Sequence, residues 1–195
     1  MATPAPLPCA VFLLLAIGLA GVAHVLWLRS AWSSPFAFAL DGGLHLRGRR
    51  LFGDNKMLRG LMMMPLASSA TFALFASNRD SLPAWLSAGI WNLPTAQMAW
   101  AGFICGLAFM LAELPNSMFK RQLDVPPGEA PAASLLRWLC LIIDRIDSTL
   151  GVLIALSLML PLHPMTWFWT LLLGSGLHWL FSIWLYRIKL KKRPS

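Results

Sequence analysis

Apolar residues run in five long stretches along this chain, at about 7 to 28, 58 to 76, 96 to 112, 139 to 160 and 165 to 186, and polar residues are swept into the connections. Each stretch is near the ~20 residues a helix needs to cross a bilayer, or falls a few short of it, the third being the shortest. The pattern predicts an all-α integral membrane protein with about five transmembrane helices, a single multi-pass domain over residues 1–195. The connections at 29–57 and 113–138 are long and rich in turn residues: Asp41-Gly42-Gly43, Gly48 and Gly53 in one, Pro126-Pro127-Gly128 and Pro131 in the other. Those near 78–95 and 161–165 are short or bland. No basic segment precedes Val11 to Leu15, so the first stretch reads as a retained span and not as a cleaved signal peptide.

Charge turns this pattern into an orientation. Of the sixteen Lys and Arg residues, fifteen fall on one side of the alternating spans. Arg29, Arg47, Arg49, Arg50, Lys56 and Arg59 lie around the first connection; Lys120, Arg121, Arg137 and Arg145 lie around the third; Arg187, Lys189, Lys191, Lys192 and Arg193 close the chain. Only Arg79 lies on the other side. The positive-inside rule then predicts an N-terminus outside, a C-terminus in the cytoplasm, and 29–57 and 113–138 as cytoplasmic loops of a cell-membrane protein. The same bias accounts for the net charge of +8 by topology and attraction to anionic head groups, with no nucleic acid as partner. With 57% hydrophobic and 12% charged residues and a mean hydropathy of +0.64, the composition excludes an ordinary soluble domain.

Several conspicuous residues read as structural. Trp85, Trp91, Trp100, Trp167 and Trp169 are placed for an interfacial aromatic belt. Gly102 and Gly106 form a small-xxx-small spacing suited to close helix packing, and Gly174 and Gly176 thin the fifth span. Cys9, Cys105 and Cys140 are odd in number and widely spaced, which supports neither a disulfide framework nor a zinc site. His24, His45, His163 and His178 show no metal-ligand spacing.

Three polar clusters converge on the cytoplasmic side. In the first, Gly53 to Gly60, Lys56 and Arg59 stand at i and i+3 and could hold phosphate oxygens, Arg59 by its fork and Lys56 as a point charge. In the second, Glu113 is followed by Pro115, which can interrupt the helix, and by Asn116, Ser117 and Lys120 at i+3, i+4 and i+7. In the third, Asp144 and Asp147 share a helix face with Ser148 and Gly151. An intramembrane carboxylate costs roughly 2.5 to 3.5 kcal/mol on the mildest scale, so such a pair points to function, with an ion pair to a neighbouring helix as the structural alternative. Hard oxygen ligands beside cations are what a magnesium-bound triphosphate needs.

In order and spacing, Asp54-Asn55-Lys56 with Arg59-Gly60, Glu113-Leu114-Pro115-Asn116-Ser117 with Lys120-Arg121, Pro126-Pro127-Gly128, and Asp144 with Asp147-Ser148 resemble the CDP-archaeol synthase family. That family belongs to the CTP-dependent phosphatidate cytidylyltransferase group, and the resemblance runs from about residue 50 to the end of the fifth span. It implies a five-span enzyme of phospholipid biosynthesis that transfers a cytidylyl group from CTP to a membrane lipid phosphate with Mg²⁺, its site open to the cytoplasm. Asp144 and Asp147 would be metal ligands and, with Glu113 and Lys120, the catalytic set. Asp54, Asn55, Lys56, Arg59, Asn116, Ser117, Arg121 and Gly128 would bind substrate. The chain departs from the pattern at Met57-Leu58, where Thr-Trp is expected, and at Gln122, where a basic residue is.

The reaction implied is attack by a lipid phosphate oxygen on the α-phosphorus of CTP with departure of pyrophosphate, a displacement that needs positioning and charge neutralisation and no covalent enzyme intermediate. The alternatives are a small membrane carrier or ion-binding protein and a non-catalytic membrane subunit. Against a carrier, there is no inverted repeat, and the polar residues crowd one membrane face and not the midplane. A homo-oligomer remains open beside a single-chain enzyme.

Overall fold

The computed structural model describes residues 2–126, 129 and 134–187, apart from the side chains of Ser134, His178, Phe181 and Leu185. Gly128 and the basic residues Lys189, Lys191, Lys192 and Arg193 fall outside them. Five long helices carry the fold: α1 (Pro6–Arg29), α2 (Leu58–Ser77), α4 (Thr95–Gln122), α5 (Ser134–Met159) and α6 (Pro164–Arg187), with a one-turn helix α3 (Ala84–Ser87) before α4. By length and composition, α1, α2 and α4 are able to cross a membrane. Helix α1 starts with proline at its first position, where the missing N–H is no loss, and α6 likewise begins at Pro164.

Neighbours in the chain pack as neighbours in space: α1 on α2, α2 on α4, α4 on α5 and α5 on α6, and α6 returns to α1 to close a ring. Glycines set the closest approaches. A Cβ on Gly106 would come within 2.6 Å of Met64 O and 2.7 Å of Pro65 Cα, and one on Gly102 would strike the Ser68 carbonyl, so α2 and α4 touch backbone to backbone, as their spacing predicted. On the other side of α4, Gly151 of α5 lies against Ala108 and Ala112. The contact order, Phe72 with Gly102 and then Met64 with Gly106, makes α2 and α4 antiparallel.

One end of the bundle is an apolar core. Phe12 packs edge-on to Phe72, Phe75 and Trp91 at ring distances of 5.0, 5.5 and 6.4 Å, with Met98, Cys105, Leu153 and Leu156 buried around them. Trp91 corrects an expectation: it is 2% exposed, and its indole N–H donates to Pro161 O at 3.1 Å, so it is a core residue and not part of a surface belt. Trp85 and Trp100 are exposed, as a belt requires.

The opposite end is polar, and two expectations change there. Residues 113–122 continue α4 as helix through Pro115, although they were expected to open a loop. A proline removes one intrahelical hydrogen bond, and the packing of α4 between α2 and α5 holds the rod together across it. The chain is also not wholly helical: residues 45–50 form a hairpin, β1 (His45–Leu46) antiparallel to β2 (Arg49–Arg50). Its two-residue turn, Arg47-Gly48, has φ of 55° and 77°, the double positive φ that matches strand twist.

Asp41 organises this connection from within. Its carboxylate is buried yet accepts hydrogen bonds from the amides of Gly43 (3.1 Å), Phe52 (3.1 Å) and Gly53 (3.2 Å) and from the Arg50 guanidinium (3.0 Å). Burial pushes its pKa up, but the Gly43 amide, the Arg50 side chain and the two further amides outweigh it and hold the carboxyl well below the usual range. It is therefore a permanent anion. Two straps then fasten the loop to the bundle. Arg49 pairs with Asp124 just past α4 and donates to the carbonyl of Gln122, the last residue of α4, and the 38–40 segment pairs with 56–58 through Leu40 N to Lys56 O and Leu58 N to Phe38 O, both 2.8 Å.

Candidate functional site

Straps and glycines together deliver side chains from three places to one spot at the polar end. Lys56, whose carbonyl accepts from Leu40 N just before α2, forms an ion pair with Glu113 on α4. Glu113 also accepts from Ser148 Oγ of α5 at 3.0 Å. One turn further along α4, Asn116 is buried, and its single amide nitrogen donates to both Asp144 (2.6 Å) and Asp147 (3.1 Å). A further turn on, Lys120 forms an ion pair with Asp144. Asp147 accepts from Ser148 N at 2.7 Å.

The helix geometry behind this is simple. Residues 113, 116 and 120 lie on one stripe of α4, and 144, 147, 148 and 151 lie on one stripe of α5; Gly151, lacking a Cβ, lets the stripes meet. Three carboxylates face two lysines within the cluster, each lysine side chain no more than 14% exposed. The structural alternative for Asp144, an ion pair with a neighbouring helix, is formed. It does not use up the site, because Asn116 Oδ1 is enclosed and has no hydrogen-bond partner, and Asp147 takes no lysine among the described contacts.

Other residues singled out from the sequence go elsewhere. Asp54 is drawn away from the cluster to an ion pair with Arg50 and is largely exposed. Asn55 is exposed and Ser117 half-buried, neither with a described bond into the cluster. Arg59 turns toward Ser33, its Nη1 donating to Oγ at 3.3 Å while Nε is enclosed without a partner. Arg121 has Nε and Nη1 enclosed in the same unsatisfied state. Gly128 lies outside the described residues.

Residues not singled out also bear on the site. Asp41, Arg49 and Asp124 hold the loop that carries Lys56, and Ser148 links Glu113 to Asp147. His24 of α1 reaches the edge of the cluster: a Cβ on Gly60 would lie 3.3 Å from its Nε2 and 3.1 Å from Met110 Cε, one turn before Glu113.

Could these residues hold a divalent cation? Among the described residues, no three His, Cys, Asp or Glu side chains converge as a ready-made cage. Mg²⁺ does not need one, since it takes one or two carboxylates and keeps waters or phosphate oxygens elsewhere. Two carboxylates that converge on one amide nitrogen, next to an orphaned amide oxygen, form a hard-oxygen donor set of that kind. The residues fit.

No family model matches the chain. Among curated proteins, it is 31% identical over 159 residues to a CDP-archaeol synthase of Methanopyrus kandleri, an alignment covering 80% of this chain and 78% of the relative. It is 28% identical over 155 residues to a CDP-archaeol synthase of Pyrococcus abyssi, covering 75% and 77%. A solved intramembrane enzyme of archaeal membrane lipid biosynthesis superposes with a TM-score of 0.63 at 22% identity, over 89% of this chain and 92% of that one, which shows a shared fold.

Proposed function

The chain belongs to the CDP-archaeol synthase family, and we propose on that footing that the cluster between α4 and α5 is the centre at which a lipid phosphate receives a cytidylyl group from CTP. The activity is that of a CTP-dependent lipid cytidylyltransferase acting in lipid biosynthesis, with pyrophosphate as the second product. One observation carries the assignment of the site: Asn116 bridges Asp144 and Asp147 across two helices, with the paired Lys56 and Glu113 one turn away. A carrier would gain nothing from that set at one end of the bundle, away from the midplane where carrier sites lie.

The roles follow from charge and reach. Asp144 and Asp147 would hold Mg²⁺, which when bound neutralises phosphate charge and steadies the leaving pyrophosphate. Lys120, beside Asp144, is positioned to exchange that partner for a phosphate oxygen when substrate arrives. Arg121 and Arg59 offer guanidinium donors that lack partners, and a fork matches phosphate geometry. Asn116 keeps the two aspartates at a fixed separation, and Glu113 with Ser148 orients Asp147 from behind. The test is pyrophosphate release by the purified protein in detergent, with CTP, Mg²⁺ and a lipid phosphate. Release should require all three additions; its absence with every one present would overturn the activity.

We further infer a five-span arrangement with the polar end in the cytoplasm. Its support is the basic residues Arg29, Lys56, Arg59, Lys120, Arg121 and Arg187, which all fall at the same end of the alternating helices. A reporter fused after Ser195 should read as cytoplasmic and one inserted between Asn78 and Thr95 as external. The opposite pattern at both positions would put the cluster on the wrong side for CTP.

A further inference from the structure

At the polar end of α1, two side chains with no role so far present enclosed polar nitrogens that bond to nothing. His24 Nε2 and Trp27 Nε1 are shielded from solvent without a hydrogen-bond partner, and so is Arg59 Nε, on the first turn of the adjacent α2. At i and i+3, His24 and Trp27 share a face of α1. Arg59 is held beside them: its Nη1 donates to Ser33 Oγ, and that fully buried hydroxyl also lies 3.4 Å from Leu28 O, the residue after Trp27. The His24 ring lies over Gly60, next to Arg59 in sequence, and any side chain there would close the gap to 3.3 Å. Phe36 backs Trp27 at a ring distance of 6.1 Å.

Buried donors are almost always satisfied, so unpartnered nitrogens on one face of α1 and on the adjoining first turn of α2 are suited to receive an acceptor group. Arg59 Nε and Trp27 Nε1 are donors only, and His24 Nε2 joins them when the imidazole carries its proton there, so the group they suit is an anion rich in oxygen acceptors. We propose that His24, Trp27 and Arg59 form a second phosphate subsite, separate from the Lys120–Asp144 side, and that it holds the phosphate of the lipid acceptor. This rests on the cytidylyltransferase reading above. The choice of lipid over nucleotide comes from position. Val22 and Leu26, which flank His24 on α1, are exposed on the apolar outer surface at 39% and 63%, so the subsite lies just behind a membrane-facing wall. A phosphate tethered to lipid chains can be held at that depth, whereas CTP enters from water toward Lys120 and Arg121. Met110, against Gly60 and one turn before Glu113, places the subsite beside the carboxylate cluster, where an acceptor oxygen is needed.

The test separates the two sources of phosphate. Trp27→Phe keeps the aromatic ring and removes only the N–H; His24→Leu removes the imidazole donor. Each should raise the KM for a lipid phosphomonoester in detergent micelles by about tenfold, the loss of one hydrogen bond to a charged group, and leave the Kd for CTP, titrated without lipid, unchanged. If CTP binding weakens while the lipid KM stays put, the subsite belongs to the nucleotide and the proposal fails. Unchanged lipid KM in both variants also overturns it, and marks the nitrogens as structural. If His24→Leu does not insert stably, Trp27→Phe alone decides. Wild-type protein that shows no cytidylyl transfer would instead sink the reading of the activity, a result visible before any variant is made.

Discussion

Asp144→Asn and Asp147→Asn should each lower CTP-dependent turnover by roughly 100-fold or more, several kcal/mol of lost charge stabilisation, while the protein still inserts and folds. The substitutions keep size and remove only the charge, so they isolate what the carboxylates contribute. They should also differ from each other. Asp144 is the partner of Lys120, and its neutralisation leaves that half-buried ammonium without a counter-charge, so Asp144→Asn should lower thermal stability as well as turnover. Asp147 accepts from Asn116 and from the Ser148 amide and takes no lysine among the described contacts; its variant should stay closer to wild-type stability. Turnover at ordinary Mg²⁺ and the midpoint of thermal unfolding in detergent read the two effects. Near-normal turnover in either variant would reduce the pair to helix-bridging residues.

Gly106→Ala should destabilise the protein by roughly 3 kcal/mol, the upper end of the range for overpacking, although alanine is the better helix former. Its methyl would sit 2.6 Å from Met64 O and 2.7 Å from Pro65 Cα, and neither backbone atom can swing aside as a side-chain tip could. The helices must part. Gly18 and Gly21 on α1 supply the control, since a Cβ at either meets nothing within 4 Å. Gly21→Ala should melt with the wild type, and Gly106→Ala well below it. Equal melting of the two variants would mean that α2 and α4 are not in backbone contact at this point. Turnover should fall alongside stability, because Lys56 stands two residues before α2 and its ion pair with Glu113 on α4 depends on how the two helices pack.

Much of this was legible in residue spacing. The i, i+3 relation of Asp144 and Asp147, the place of Gly151 on their face and the Gly102–Gly106 pair all follow from helical periodicity, and each appears in the packing of α4 on α2 and α5. Spacing did not separate Asn116 from Ser117, since i+3 and i+4 from Glu113 both fall near its face; the contact with α5 does. Pro115 looked like an interruption because local backbone chemistry disfavours proline inside a helix, and α4 runs through it under tertiary packing. Trp91 looked interfacial by its position beside a turn and is buried against Phe12 in the apolar core. Asp54 and Asp41 show the deeper limit. Both are acidic residues in a Gly-rich connection, and only the folded loop reveals that Asp41 turns inward to bind amides while Asp54 turns outward to Arg50. His24 sits in an apolar helix with no polar periodicity to flag it.

The ring of helices has a bearing on how the chain is made. Among the described residues, its main helix packings join chain neighbours except that of α6 on α1, so it can grow one helix at a time as synthesis proceeds, and only its closure must wait for the last helix. The acidic residues then arrive in a safe order. When α4 emerges with Glu113, Lys56 is already in place at the foot of α2; when α5 brings Asp144, Lys120 and the Asn116 amide are waiting on α4. Each of these two carboxylates meets its cation on docking and need not linger unpaired against lipid, where its charge is most costly.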